Sequence, residues 1–221
     1  MERLEYLLID NLKIYQNDEL YCFTSDAVLL SKFATVKKGD KVADFCSGSG
    51  IVGLNLYAHN QGIESLTLFE MQPALFELSK KSIEYNNLGE KVFAVNTKLQ
   101  DIDKRYNEYF SLIVCNPPYM EKGSGFSSEE YHIAVCKEEI ELTLQELVKA
   151  AAKALKFKGR FALVHRADRL AEIFEEMKNN KIEPKRMQLI SAKNKKPYLV
   201  LIEGVKGGKK GIDILQNEMH H

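Results

Sequence analysis

Ser111-Leu-Ile-Val-Cys115 runs directly into Asn116-Pro117-Pro118-Tyr119. A short apolar run followed by two prolines predicts a buried strand that stops abruptly, because the Pro117 and Pro118 nitrogens cannot donate to a sheet ladder. In an open α/β sheet, ligands sit outside the carboxyl ends of the strands, so Asn116 and Tyr119 are expected to face a site on a stiff backbone. Their chemistry suits a flat amino group. An exocyclic amine on a nucleobase, or a carboxamide nitrogen, has its lone pair drawn into a π system and is a poor nucleophile. The Asn116 side-chain oxygen and the Pro117 carbonyl would accept its two hydrogens and leave the lone pair directed at an electrophile, while the Tyr119 ring stacks on the substrate plane. No strong general base is then needed. The same four residues also suit a proline-stopped strand with a buried tyrosine.

Earlier in the chain, Lys41-Val-Ala-Asp-Phe-Cys46 reads as a strand, and Ser47-Gly-Ser-Gly50 turns it into an apolar helical stretch over residues 51–58. Gly48 and Gly50 permit positive φ and close approach of the backbone to a ligand, and Asp44 offers a carboxylate near the strand's end. Such a turn can also be a plain strand-to-helix connection. A second strand, Ser65-Leu-Thr-Leu-Phe69, ends in Glu70 at the spacing where an acidic residue reaches ribose hydroxyls in doubly wound nucleotide folds.

Strand-like and helix-like segments alternate from there on. Helices are expected over 73–86, 137–155 and 168–179, and strands over 92–95, 112–115, 160–165, 187–191 and 198–203. With the first two strands, that makes a seven-stranded, mostly parallel α/β sheet with an antiparallel C-terminal edge and helices on both faces. Pro73 and Gly159 fit as punctuation at a helix start and between helix and strand. With 221 residues, 45% of them apolar, the chain suits one domain: an N-terminal extension over 1–38, a core over 39–205 and a flexible tail over 206–221.

Asp44-Phe-Cys-Ser-Gly-Ser-Gly50 lacks the full Gly-x-Gly-x-x-Gly of dinucleotide enzymes, although Gly53 follows three residues on. It resembles the Asp-x-x-x-Gly-x-Gly signature of class I S-adenosylmethionine-dependent methyltransferases, and with Asn-Pro-Pro-Tyr it resembles their amino-methylating branch. The resemblance implies a Rossmann-like fold and S-adenosylmethionine as cofactor, leaving as S-adenosylhomocysteine. It also implies that Asp44, Cys46, Gly48 and Gly50 lie along the methionine portion, that Glu70 holds the ribose, that Met71 packs on adenine, and that Asn116 to Tyr119 present the acceptor nitrogen.

The opening narrows the likeness further. Asp10-Asn-Leu-Lys-Ile-Tyr-Gln16 and Tyr21-Cys-Phe-Thr-Ser-Asp-Ala-Val-Leu-Leu30 are similar to the start of the bacterial tRNA(Val) adenine-N6 methyltransferases, and residues 141–148, 159–166 and 169–170 look like the same family. What this implies is methyl transfer to N6 of the adenosine beside the anticodon, with Phe23 and Asp26 near the cofactor's amino-acid end. Taken by itself the run also reads as a helix start, with Thr24 or Ser25 as cap and Asp26 favouring the dipole. Two departures stand out. Lys98 occupies a position where the family tends to an acidic residue near adenine, which leaves that contact to Asn96, to Asp101 or to neither. Val135-Cys-Lys-Glu138 stands where the family tends toward Ala-Arg-His-Glu.

Two other readings share these motifs. A protein-glutamine N5-methyltransferase faces the same lone-pair problem, but about forty residues before the first core strand are few for its helical substrate-binding domain. A non-catalytic nucleotide- or RNA-binding module would leave Asn116 and Tyr119 idle.

Net charge is zero but uneven: residues 178–210 hold ten Lys or Arg against two Glu, whereas residues 1–177 hold 21 basic and 27 acidic side chains. The clusters Lys193-Asn-Lys-Lys196 and Lys206-Gly-Gly-Lys-Lys210 would contact phosphates if the acceptor is tRNA, and otherwise make a solvated face. No apolar run reaches membrane-span length and the start does not read as a secretory signal, so no membrane partner and a cytoplasmic location are expected. Cys22, Cys46, Cys115 and Cys136 lack metal-binding spacing and read as reduced thiols. His220 and His221 are set aside as tag-like, and no metal is expected.

Overall fold

The computed structural model describes residues 2–7, 12–18, 20, 25–118 and 141–220. Two short strands, β1 (Glu2–Tyr6) and β2 (Lys13–Asn17), form an antiparallel hairpin of their own. Helix α1 (Ser25–Phe33) leads into β3 (Lys41–Phe45), α2 (Ile51–His59), β4 (Ser65–Glu70), α3 (Pro73–Tyr85), β5 (Val92–Asn96) and β6 (Phe110–Cys115). Then come α4 (Leu144–Ala154), β7 (Leu155–Arg166), α5 (Leu170–Asn179), β8 (Ile182–Ala192), β9 (Leu199–Lys206) and two short strands, β10 (Asp213–Ile214) and β11 (Glu218–His220).

The main sheet runs β10-β8-β9-β7-β6-β3-β4-β5, with β11 also paired to β8. It therefore has nine strands rather than the seven expected. Strands β3 to β7 are mutually parallel, while β9 is antiparallel to both β7 and β8. The reversed strand is thus interior, not an antiparallel edge, and β8 outside it runs with the core. The segment after 206, expected to be a flexible tail, pairs parallel with β8 over both short strands. Once β9 had returned beside β7, β8 was left with an open edge, and an open edge is a template for any nearby extended segment.

Both faces of the sheet are covered, so its inner strands are mostly apolar on both sides. Leu112 and Val114 of β6 join the core under α1 and α2, whereas Ile113 and Cys115 join the one under α4 and α5. Period-two alternation with two buried faces is what a parallel strand needs, and all six β6 residues are buried. Burying each of these aliphatic side chains contributes about 1.5–3 kcal/mol. At the amino ends of the strands, Arg160 donates to both Asp40 oxygens at 2.6 Å, and Ser111 Oγ donates to Asp40 Oδ1 at 2.7 Å.

Two boundaries differ from the sequence reading. The helix expected over 137–155 has its first turn at Leu144, where Thr143 and Glu146 form a reciprocal capping box; residues 137–140 lie outside the described ones. Strand β7 begins at Leu155 with no break, so Gly159 sits inside it rather than before it. There the pairing with β6 shifts register, and a Cβ at 159 would stand 2.8 Å from the Lys156 carbonyl oxygen. Glycine serves a bulge here.

The chain moves outward from β3 through β4 to β5 and then returns to place β6 on the other side of β3. This reversal opens a crevice at the carboxyl ends of β3 and β6, the place where open α/β sheets bind ligands.

Candidate functional site

A cleft with about 920 Å³ of space outside protein atoms, open mouth included, occupies that crevice. Its walls bring together Cys46 and Gly48 from the turn after β3, Glu70 and Met71 from the end of β4, and Asn116 and Pro117 from the end of β6. These residues are far apart in sequence and were all picked from it.

The turn is shaped by left-handed backbone at Cys46 (φ 56°), Gly48 (φ 57°) and Gly50 (φ 95°). Gly48 has nothing within 4 Å of where a Cβ would be, so it keeps the cleft wall bare. Gly50 caps α2 and would place a Cβ 2.9 Å from Leu68 Cδ1, so it serves close packing of the turn on β4 and does not line the cleft. Ser47 N donates to the Phe69 carbonyl at 3.0 Å and ties the turn to the next strand.

Glu70 is 6% exposed, and its two oxygens accept from Gly48 N and Gln72 N, each at 2.8 Å. The Met71 amide also hydrogen-bonds this carboxylate, which leaves it part of its accepting capacity for a ligand hydroxyl. Burial raises the Glu70 carboxyl above its ordinary range, against the lowering effect of those amide hydrogen bonds.

Asp44 is fully buried beneath the turn. Its Oδ2 accepts from Gly53 N at 2.8 Å, and Oδ1 accepts nothing among the described residues. Burial pushes its carboxyl up to about 8, with the Gly53 amide lowering it and the Glu70 charge raising it further. Cys115, buried at the end of β6, is likewise raised by burial and by its hydrogen bond with Cys46.

Not every expected residue reaches the cleft. Asn96 turns its amide to the Glu70 and Met71 carbonyls at 2.8 and 3.0 Å, and Asp101 closes a 3-10 turn away from the walls. Lys98 pairs with Glu141 at 2.8 Å. The wall beside Met71 is made instead by Thr97, Leu99, Gln100, Glu141 and Leu142. Asp26 is buried in the first turn of α1, off the cleft wall, and close enough to raise the Tyr198 hydroxyl's pKa, though burial contributes more. Phe23 and Tyr119 lie outside the described residues.

The sequence reading missed Ser47, Ser49 and Gln72 on the walls and Gln16 behind them. Gln16 is 1% exposed and donates from Nε2 to Ser49 Oγ at 2.6 Å. The signal was the alternation of β2, whose inward positions are Ile14 and Gln16.

Ser47 Oγ and Asn116 Oδ1, both on the cleft wall, are buried atoms with no hydrogen-bond partner among the described residues; Asp44 Oδ1 and Gln16 Oε1, also without one, lie behind the wall. Buried polar atoms are nearly always paired, so the two on the wall fit a polar ligand that completes them.

Residues 23–185 match the family described as Methyltransferase small domain. The chain is 26% identical over 157 residues to a Shewanella sp. (strain MR-4) protein named tRNA1(Val) (adenine(37)-N6)-methyltransferase, covering 69% of this chain and 65% of that one. It is 27% identical over 151 residues to the protein of the same name from Haemophilus influenzae (strain PittEE), covering 68% and 64%. The chain thus spans just under two thirds of the length of these relatives. A crystal structure of a predicted O-methyltransferase from Agrobacterium tumefaciens superposes with a TM-score of 0.70 at 18% identity, covering 89% of this chain and 88% of that one, a likeness of fold.

Proposed function

The chain belongs to the Methyltransferase small domain family, and from that premise we propose that it transfers the methyl group of S-adenosylmethionine to the exocyclic N6 amine of an adenosine in tRNA, the one beside the anticodon of tRNA(Val). The observation that carries the acceptor chemistry is Asn116: its Oδ1 is buried at the cleft wall and accepts no hydrogen bond among the described residues.

When bound, S-adenosylmethionine supplies an electrophilic methyl carbon on a cationic sulfur. Glu70 would accept from its ribose hydroxyls, the backbone at Cys46 and Gly48 would run along its methionine portion, with Asp44 and Gly50 holding the turn from beneath, and Met71 with Leu99 would pack against its adenine. Asn116 Oδ1 accepts one N–H of the acceptor amine and the Pro117 carbonyl the other, which turns the nitrogen lone pair out of the ring's conjugation. Tyr119, outside the described residues, would stack on the acceptor base as the resemblance implies. The amine so oriented would accept the methyl group the cofactor supplies and lose its extra proton to solvent, so no side-chain base would be required.

The test is nucleoside mass spectrometry on tRNA incubated with the protein and methyl-labelled S-adenosylmethionine, beside a parallel incubation with a release factor. Label in N6-methyladenosine, absent with Asn116→Ala, is the expected result. Label on a release-factor glutamine would replace the RNA reading, and failure of S-adenosylhomocysteine to bind in a calorimeter would overturn the cofactor assignment.

A further inference from the structure

The β1–β2 hairpin is fastened on two sides. On one, Lys13 N donates to Asn86 Oδ1 and Tyr15 N donates to Ser82 Oγ, both at 2.9 Å, which holds β2 along α3. On the other, the Gln16 amide reaches Ser49 Oγ in the glycine turn at 2.6 Å. Both side chains of this last contact are buried, at 1% and 4% exposure. Ser49 also lines the cleft.

A serine hydroxyl has one proton and two lone pairs. With a lone pair taken by Gln16 Nε2–H, the Ser49 proton has no acceptor among the described residues and is available to a ligand in the cleft. Ser47, on the same wall, has a buried hydroxyl with no partner among the described residues. The first amides of α2 begin at Ile51, directly after these serines, and carry the positive end of its dipole. Two hydroxyls able to donate and a helix N-terminus lie together on this wall, a setting that favours an acceptor or anion.

We propose that Gln16 is a positioning residue that sets Ser49 as a hydrogen-bond donor to the carboxylate at the amino-acid end of the cofactor, which makes the N-terminal hairpin part of the cofactor site. This rests on the reading of the cleft as a site for S-adenosylmethionine. It gives the hairpin a task beyond covering α3.

The experiment compares two ligands by calorimetry: S-adenosylhomocysteine, and 5′-methylthioadenosine, which keeps the adenosine and the thioether and lacks the amino-acid end. Gln16→Ala is expected to weaken S-adenosylhomocysteine about tenfold while 5′-methylthioadenosine changes less than about twofold. Gln16→Glu, of the same shape, takes the Ser49 proton for itself and adds a negative charge, so it should weaken S-adenosylhomocysteine at least as much. Ser49→Ala should reproduce the selective loss and add little on top of Gln16→Ala. Thermal unfolding of each variant reports folding, and Ser49→Ala carries the test if the Gln16 variants do not fold. An equal loss for both ligands, or no loss, overturns the proposal and leaves a purely structural contact. Wild-type protein that binds neither ligand would instead overturn the cofactor reading itself.

Discussion

The Gly53 amide donates to Asp44 Oδ2 at 2.8 Å, and a Cβ at 53 would force a neighbour to move: it would stand 2.6 Å from Leu68 Cδ2 and 3.1 Å from that same carboxylate oxygen. Helix α2 thus lies against β3 and β4 with one hydrogen bond into the buried carboxyl and close packing at Gly53. Asp44 cannot be solvated where it is. Its protonation state, its hydrogen bond and the seating of α2 are one arrangement.

Asp44 should therefore give the fold a pH dependence of recognisable sign. Burial raises its carboxyl from 3.8 to about 8, so between those values the folded protein holds a proton that the unfolded chain has released. Its contribution to stability is fully present below the unfolded value and declines as pH rises through about 8. The limiting slope is about 1.4 kcal/mol per pH unit. Urea unfolding from pH 5 to pH 8 should show Asp44→Asn losing this component and flattening relative to wild type. Parallel profiles would mean Asp44 stays ionised in the fold.

Gly53→Ala should cost about 1–3 kcal/mol, since the added methyl must displace Leu68 or the Asp44 carboxyl. Gly48→Ala meets no neighbour but holds φ at 57°, and should cost about 1–2 kcal/mol from the backbone alone. Chemical denaturation measures both. Equal wild-type stability for Gly53→Ala would show that α2 can shift without loss.

The parts of the site legible in the sequence were those set by local rules. An apolar run ended by two prolines, a glycine turn between strand and helix, and Glu70 at a strand's end each carry their meaning within a few residues, and all three reach the cleft. What was hidden depends on partners distant in the chain. Asn96 looked like an adenine contact but is drawn to the Glu70 and Met71 carbonyls beside it. Lys98 finds Glu141, which follows the long segment after β6. Gln16 reads as a surface amide until β2 is laid against the turn that holds Ser49. Strand count failed for the same reason, because β10 and β11 are too short to form without the open edge of β8.

Asn116 should separate catalysis from cofactor binding. On the proposed mechanism its buried Oδ1 orients the nucleophile, so Asn116→Ala should lower turnover by about 10²-fold or more while the affinity for S-adenosylhomocysteine stays close to wild type. Turnover and calorimetry on the same preparation decide this. A matched fall in both would make Asn116 a cofactor ligand.

The basic C-terminal stretch is divided by the fold, which sharpens what it should do. Strand register pairs Ile190 with Leu199 and Leu199 with Arg166, so the turn carrying Lys193, Lys195 and Lys196 lies at the carboxyl ends of the parallel strands, the end that holds Asn116. Lys206 pairs with Ile182 at the other end, and Lys209 and Lys210 follow it there. Only the first cluster shares an end of the sheet with the cleft. If tRNA is the acceptor, neutralising Lys195 and Lys196 should weaken binding and reduce the log–log salt slope by about one unit per lost phosphate contact. Neutralising Lys209 and Lys210 should leave both unchanged, and neither pair should alter binding of S-adenosylhomocysteine. Filter binding over a salt series reads the slope directly. An equal effect of the two pairs would indicate long-range attraction to net charge, and no effect of Lys195 and Lys196 would place the RNA contact elsewhere on the rim.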